Sequence, residues 1–251
     1  MLEAFFVLLG LTIGSFINVC ILRLPKGLSI VSPPSHCYSC NKRLGTLDLV
    51  PVLSYLFNCG RCRYCQNEYS VRYTLIELLT GGVFVWCFLV FGFYSVLIKA
   101  LFFSSFLIVI TFIDIDHQLI LDKVLIWMAG AGVAINLWLG PPAPDLWSML
   151  LAAAVGGGVM LLIAVLTRGG MGGGDIKFMA VLGLWLGWPY ILITMLLSFI
   201  IGGVVGLLLL VLKRKGRKDF IPFGPFIAIA AYITFLYGID ILMWYFRSFL
   251  R

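Results

Sequence analysis

Charge is scarce in this chain. Only 12% of its 251 residues are charged, against 62% hydrophobic, where soluble domains run at about 25% charged and about 45–50% apolar. The mean hydropathy is +1.08. These values exclude an ordinary soluble globule and a disordered chain. Histidine is scarcer still, with His36 and His117 the only two. There is no H-E-x-x-H pair, which excludes a zincin, and no G-x-S-x-G elbow. A Ser-His-Asp site would need one of those two histidines, and neither sits in a recognisable setting. The marks of a cleavable signal are scarce in the opening residues too. Met1-Leu2-Glu3 opens directly into apolar residues, without a basic n-region or an A-x-A-like site, so residues 4–22 read as a retained first span.

What the chain does have is long apolar runs. The first covers 4–22, and others follow at 73–92, 95–113, 123–139, 147–166, 176–188, 190–212 and 224–246. Most are near the 20 residues needed to cross a hydrocarbon core of about 30 Å. The pattern predicts an all-α polytopic membrane protein of about eight transmembrane helices, with 176–188 as its shortest member. The net charge of +7 would suggest nucleic acid in a soluble protein. Here the partner it implies is a lipid bilayer, because Lys and Arg in short loops set orientation. With the N-terminus outside, 15 of the 18 cations fall on the inner side, leaving Lys99, Arg247 and Arg251 outside. Residues 23–72 then form a cytosolic loop domain between the first helix, 1–22, and a membrane core, 73–251. The apolar stretch Leu49–Phe57 inside that loop is too short to span and is broken by Pro51.

The loop carries Cys37-x-x-Cys40, then 21 residues, then Cys62-x-x-Cys65. Two such knuckles read as a tetrahedral zinc site, closed and therefore structural. The alternative is a pair of disulfides, against which a reducing cytosol argues. Cys59 is an extra thiol beside the second knuckle, read as a bystander. Cys20 and Cys87 lie inside spans as small apolar side chains.

The eleven acids are the candidates for chemistry, since ionisable groups at membrane depth are costly. Asp114 ends the third span on the inner side. Asp175 closes Gly169-Gly170-Met171-Gly172-Gly173-Gly174 and precedes the sixth. Two carboxylates from different spans, packed into a partly dry site, hold one proton between them and can serve as acid and base toward an amide. Gly172 and Gly174 permit positive φ and leave room for a substrate backbone beside Asp175. From spacing alone, helix capping explains Asp114 and Asp175 equally well. Asp122 reads as a plain cap of the fourth span, Asp116 as a solvated neighbour or electrostatic helper, and Asp240 as structural. Glu77 is a candidate for a polar helix contact or a site role, and Lys177 for tuning the charge of the Asp114–Asp175 pair or, the favoured reading, for snorkelling. Gly156-Gly157-Gly158 and Gly202-x-x-x-Gly206 fit close helix packing.

Five blocks in order make the chain resemble the type IV prepilin peptidase family. They are Gly14-Ser15-Phe16-Ile17-Asn18-Val19 with Arg23-Leu24-Pro25, the paired CxxC loop, Ser70-Val71-Arg72-Tyr73 with Glu77-Leu78-Leu79-Thr80-Gly81, Gly172-Gly173-Gly174-Asp175, and Ile221-Pro222-Phe223-Gly224-Pro225-Phe226. Ile120-Leu121-Asp122 departs from the family's usual L-P-D, and Cys37-Tyr38-Ser39-Cys40 from its usual C-P-x-C. The resemblance implies a membrane aspartic endopeptidase of the bacterial inner membrane, with its peptidase core in 73–251. It implies that Asp114 and Asp175 are the catalytic pair, and that prepilin or pseudopilin leaders are cut after a glycine at the cytosolic face. It also implies N-methylation of the new terminus from S-adenosylmethionine, although no nucleotide-binding motif is readable. Two rivals remain. A proton-coupled transporter would use the same carboxylates as a relay, but they cluster at one face and no internal repeat is visible. A non-enzymatic zinc scaffold of a secretion assembly would need the cysteines alone.

Overall fold

The computed structural model describes residues 1–141, 143–212 and 221–249. Pro142, Asp219 and the cations Lys213, Arg214, Lys215, Arg217, Lys218 and Arg251 lie outside the described residues. The described chain is helical: α1 (Leu2–Arg23), α2 (Leu53–Phe57), α3 (Arg72–Phe91), α4 (Val96–His117), α5 (Asp122–Leu139), α6 (Leu146–Leu166), α7 (Gly173–Leu186), α8 (Tyr190–Val211) and α9 (Gly224–Phe249). The all-α membrane class expected from the apolar runs is observed. Each of the eight expected spans is a helix, and seven are long and apolar enough to cross a membrane. The exception is α7, with 14 residues. At 1.5 Å per residue it reaches only about 21 Å. The chain divides into two compact units, Met1–Leu97 and Ile98–Arg251.

In the first unit α1 and α3 lie antiparallel and very close. Phe6 stacks on Phe88 with ring centroids 4.6 Å apart. A Cβ on Gly10 would stand 2.7 Å from the Gly81 Cα, and one on Gly14 would stand 2.7 Å from the Glu77 Cα. Asn18 closes the register, its Nδ2 donating to the Tyr73 carbonyl at 3.0 Å. Backbone contact through small residues is how apolar helices associate where lipid removes the hydrophobic drive.

In the second unit α7 is the central helix. Phe178, Met179, Leu182 and Trp185 are all fully buried. The Trp185 indole donates to the Met128 carbonyl of α5 at 2.9 Å, and the Asn136 amide of α5 donates to the Leu184 carbonyl at 2.8 Å. Phe103 of α4 lies against Trp185, with centroids 5.1 Å apart, and against Phe235 of α9 at the same spacing. A helix enclosed by protein need not match the bilayer, so α7 can be short. It ends at Gly187, whose φ of +72° stops the helix in a left-handed residue.

The α6–α7 contact is tight. A Cβ on Gly183 would stand 2.5 Å from the Ala152 carbonyl carbon, backbone that cannot turn aside. Gly183→Ala is expected to push α6 and α7 apart and to cost about 1–3 kcal/mol, the range for overpacking. Thermal unfolding in detergent reads this as a lowered midpoint, and an unchanged midpoint would contradict the packing.

Candidate active site and metal centre

Asp114 stands in the last turn of α4 and Asp175 in the first turn of α7, with only 4% and 7% of their surfaces exposed. The structure brings Asp114 within electrostatic reach of Asp175. Two contacts dock the α4–α5 connection onto the first turn of α7. Buried Ile120 packs on Gly174, where a Cβ would stand 2.9 Å from the Ile120 Cβ. Lys177 Nζ donates to both carboxylate oxygens of Asp122 at 2.9 Å each. Asp122 is therefore not the plain cap that spacing predicted. The N-cap position of α5 is Leu121, without a side-chain cap, and Asp122 is an ion-pair partner. Lys177, expected to snorkel, is its counterpart.

The pair is held from a third side by α9. Gly224, its first residue, donates its N–H to Asp114 Oδ2 at 3.0 Å, and a Cβ there would stand 2.6 Å from the same oxygen. Glycine is required because the carboxylate occupies the side-chain space, at a helix N-terminus whose free N–H groups suit an acceptor. Residue reading had missed Gly224. Its signal was the Phe223-Gly224-Pro225 block, which spacing alone gave no role. Gly172 and Gly174 lie outside the left-handed region expected of them; φ at Gly172 is −70°. Gly172 instead faces Asp175, and a Cβ there would stand 3.2 Å from Asp175 Oδ2. Asp116 and Asp240 are exposed. Glu77 is buried in α3, its Oε2 accepting the Val52 N–H at 2.8 Å. That bond holds the start of α2, where Val52 has a φ of +61°, a conformation a β-branched residue rarely adopts.

The four loop cysteines also converge. The Sγ atoms of Cys37, Cys40, Cys62 and Cys65 all lie within 4.8 Å of one another. The two knuckles are built alike. Cys37 N donates to Lys42 O at 3.0 Å and Cys62 N to Asn67 O at 2.8 Å. Each knuckle turns through one left-handed residue, Asn41 or Gln66, and closes with one antiparallel bridge, His36 to Arg43 or Arg61 to Glu68. The disulfide alternative is not met, since all seven cysteines are free thiols. The backbone N–H groups of Cys40 and then Ser39 hold Cys37 down at about 6. At Cys65 the Asn67 N–H pulls down, but burial and the other three sulfurs outweigh it and push the thiol up to about 11. Four sulfurs this close can all become thiolates only around a cation. Cys59 is exposed and stands outside the group.

Two family models divide the chain between them. That of the bacterial peptidase A24 N-terminal domain matches residues 8–91, and that of the type IV leader peptidase family matches residues 101–207. The chain is 35% identical to the prepilin leader peptidase/N-methyltransferase of Bacillus subtilis (strain 168), with 98% of each chain covered. The chain belongs to the type IV leader peptidase family. Other relatives bear the same name. The Aeromonas hydrophila protein is 35% identical over 97% of this chain and 93% of its own, and the Xanthomonas campestris protein 36% identical over 95% and 92%. No solved structure matches. The family's two matched domains meet close to the boundary between the two compact units at Leu97 and Ile98.

Proposed function

We propose that this protein cleaves the leader from prepilins or pseudopilins at the cytosolic face of the bacterial inner membrane. In this reading it then N-methylates the new terminus. The observation that carries the peptidase reading is the pairing of buried Asp114 and Asp175 across two helices, with Gly224 N–H on one of them. Charge asymmetry supports an outer N-terminus, which puts both carboxylates at the inner boundary. A prepilin's apolar segment would lie in the bilayer and present its leader junction at that depth. One carboxylate takes a proton from water as the oxygen attacks the scissile carbonyl. The other gives its proton to the leaving amine. Nothing in the relatives' names points to a transporter or a scaffold.

Zinc suits the four sulfurs. With Zn–S near 2.3 Å, tetrahedral ligands stand about 3.8 Å apart, and Cys37 and Cys65 are 3.8 Å apart. Four thiolates leave no open position, so the metal would brace the two knuckles. S-adenosylmethionine would supply the methyl group for the second activity.

The test is incubation of the purified, zinc-loaded protein with a detergent-solubilised prepilin and S-adenosylmethionine, with mass spectrometry of the product. The expected product lacks the leader and carries one added methyl mass. An intact substrate, tried across several prepilins, would overturn the peptidase reading. A cleaved but unmethylated product would overturn the second activity alone.

A further inference from the structure

Five large apolar side chains of the cysteine loop are exposed and take no part in the peptidase reading. Leu47 and Leu49 belong to a single 3-10 turn, and Leu53, Leu56 and Phe57 to α2. Leu56 is 61% exposed and Phe57 82%. Along α2 the three stand at i, i+3 and i+4, which is one face of a helix. Ser54, Tyr55 and Asn58, on the other face, are half-buried. A contiguous apolar group of this kind marks an interaction surface or an aggregation liability.

The exposed face is held from behind. Val52, just before α2, donates its N–H to Glu77 of α3 at 2.8 Å. Tyr55 meets Tyr69 edge to face, with centroids 5.3 Å apart, and lies across Gly60, where a Cβ would stand 2.9 Å from its ring. Asp48 accepts the Gly45 N–H at 3.0 Å and the Tyr64 hydroxyl at 3.1 Å, while its neighbours Leu47 and Leu49 stay exposed.

The bond to α3 also sets the height of this face. Glu77 stands in the second turn of α3, about 7 Å past its first residue. With 20 residues α3 is just long enough to cross the hydrocarbon core, so its first turns stand at the membrane boundary. Val52 is bonded there, and α2 follows at once. Interfacial helices bury their apolar face about 5–10 Å into the boundary between headgroups and acyl chains, which is the same depth. The charge agrees. Residues 23–72 carry seven cations against two acids, a balance suited to anionic headgroups.

We propose that α2 and the turn before it form a membrane-surface element, and that the occupant of its apolar face is lipid. Leu47, Leu49, Leu53, Leu56 and Phe57 dip into the leaflet on the loop's side. The cysteine knuckles are thereby fixed against the bilayer at the level where α1 ends and α3 begins.

The test uses the full-length chain grown with photo-leucine, a diazirine analogue of leucine, and reconstituted into vesicles of phosphatidylethanolamine and phosphatidylglycerol. After ultraviolet irradiation the adducts are mapped by mass spectrometry. Phospholipid adducts are expected at Leu53 and Leu56, as at Leu78, which is exposed on α3. Half-buried Leu44 of the first knuckle should carry few. Lipid adducts at Leu78 with none at Leu53 and Leu56 overturn the proposal. Adducts from these two to another part of the chain, to a second copy or to an added prepilin assign the face to protein and overturn it too. A second variant carries Leu56→Gln and Phe57→Gln together. Both side chains are exposed, so its thermal midpoint in detergent should match the wild type, while lipid adducts at Leu53 should fall about tenfold as the apolar area shrinks. Undiminished adducts at Leu53, with the midpoint unchanged, also overturn the proposal.

Discussion

Asp114→Asn and Asp175→Asn should each stop leader cleavage. The chemistry needs one carboxylate ionised to take a proton from water and the other protonated to give one to the leaving amine. An amide does neither at accessible pH. Loss of positioned proton transfer costs about 10²–10⁴-fold, and the two roles are interdependent, so the double variant should be hardly slower than either single one. The substitution keeps the shape of each side chain. At position 114 the amide oxygen can still accept the Gly224 N–H, so the fold should persist. The measurement is the single-turnover rate of prepilin conversion in detergent, with the thermal midpoint of each variant beside it. Either variant retaining more than about a tenth of wild-type rate, with an unchanged midpoint, would remove that residue from the proposed pair.

Removing the metal should have the second-largest effect, and on a different part of the molecule. Among the described residues of the loop, only Gly60 and Cys62 are buried between Leu24 and Tyr73. Such a segment has too little core to fold by itself, and a metal bound by the four cysteines would serve as its folding energy, with apparent values of about 10–16 kcal/mol in small zinc domains. Chelation, or Cys62→Ser, is therefore expected to release one zinc per chain and to open residues 35–70 to limited proteolysis. Cleavage should persist at a reduced rate, because Asp114 and Asp175 belong to the other unit. Metal content, protease mapping and the cleavage rate measured together check this. Complete loss of cleavage would show that the loop is needed for it as well.

Much of this was legible in the amino-acid sequence because it depends on local chemistry. A run of about 20 apolar residues has few alternatives to a membrane helix, so the spans could be placed to within a few residues. Two CxxC pairs near each other in a short loop imply a shared metal for an equally local reason: each knuckle fixes the direction of its own two sulfurs. The uneven split of cations between the two sides of the expected spans is likewise a property of the chain alone.

The pairing of the acids could not be read that way. Spacing placed Asp114 and Asp175 at one membrane face and left capping and catalysis equally open. Packing decided that Asp114 lies within electrostatic reach of Asp175, through Ile120 on the bare Cα of Gly174 and through Asp122 on Lys177. Those contacts join residues 54 and 55 positions apart, and no periodicity reports such a distance. The same holds for Gly224, whose N–H reaches Asp114 across 110 residues, and for α7, whose shortness is explained only by the helices around it. The sequence by itself determined the membrane class, the helices and the paired cysteine knuckles, because each follows from hydropathy or from neighbours along the chain. Only the tertiary structure decided which carboxylates share a site and what holds them there, because that depends on close approach between helices far apart in sequence.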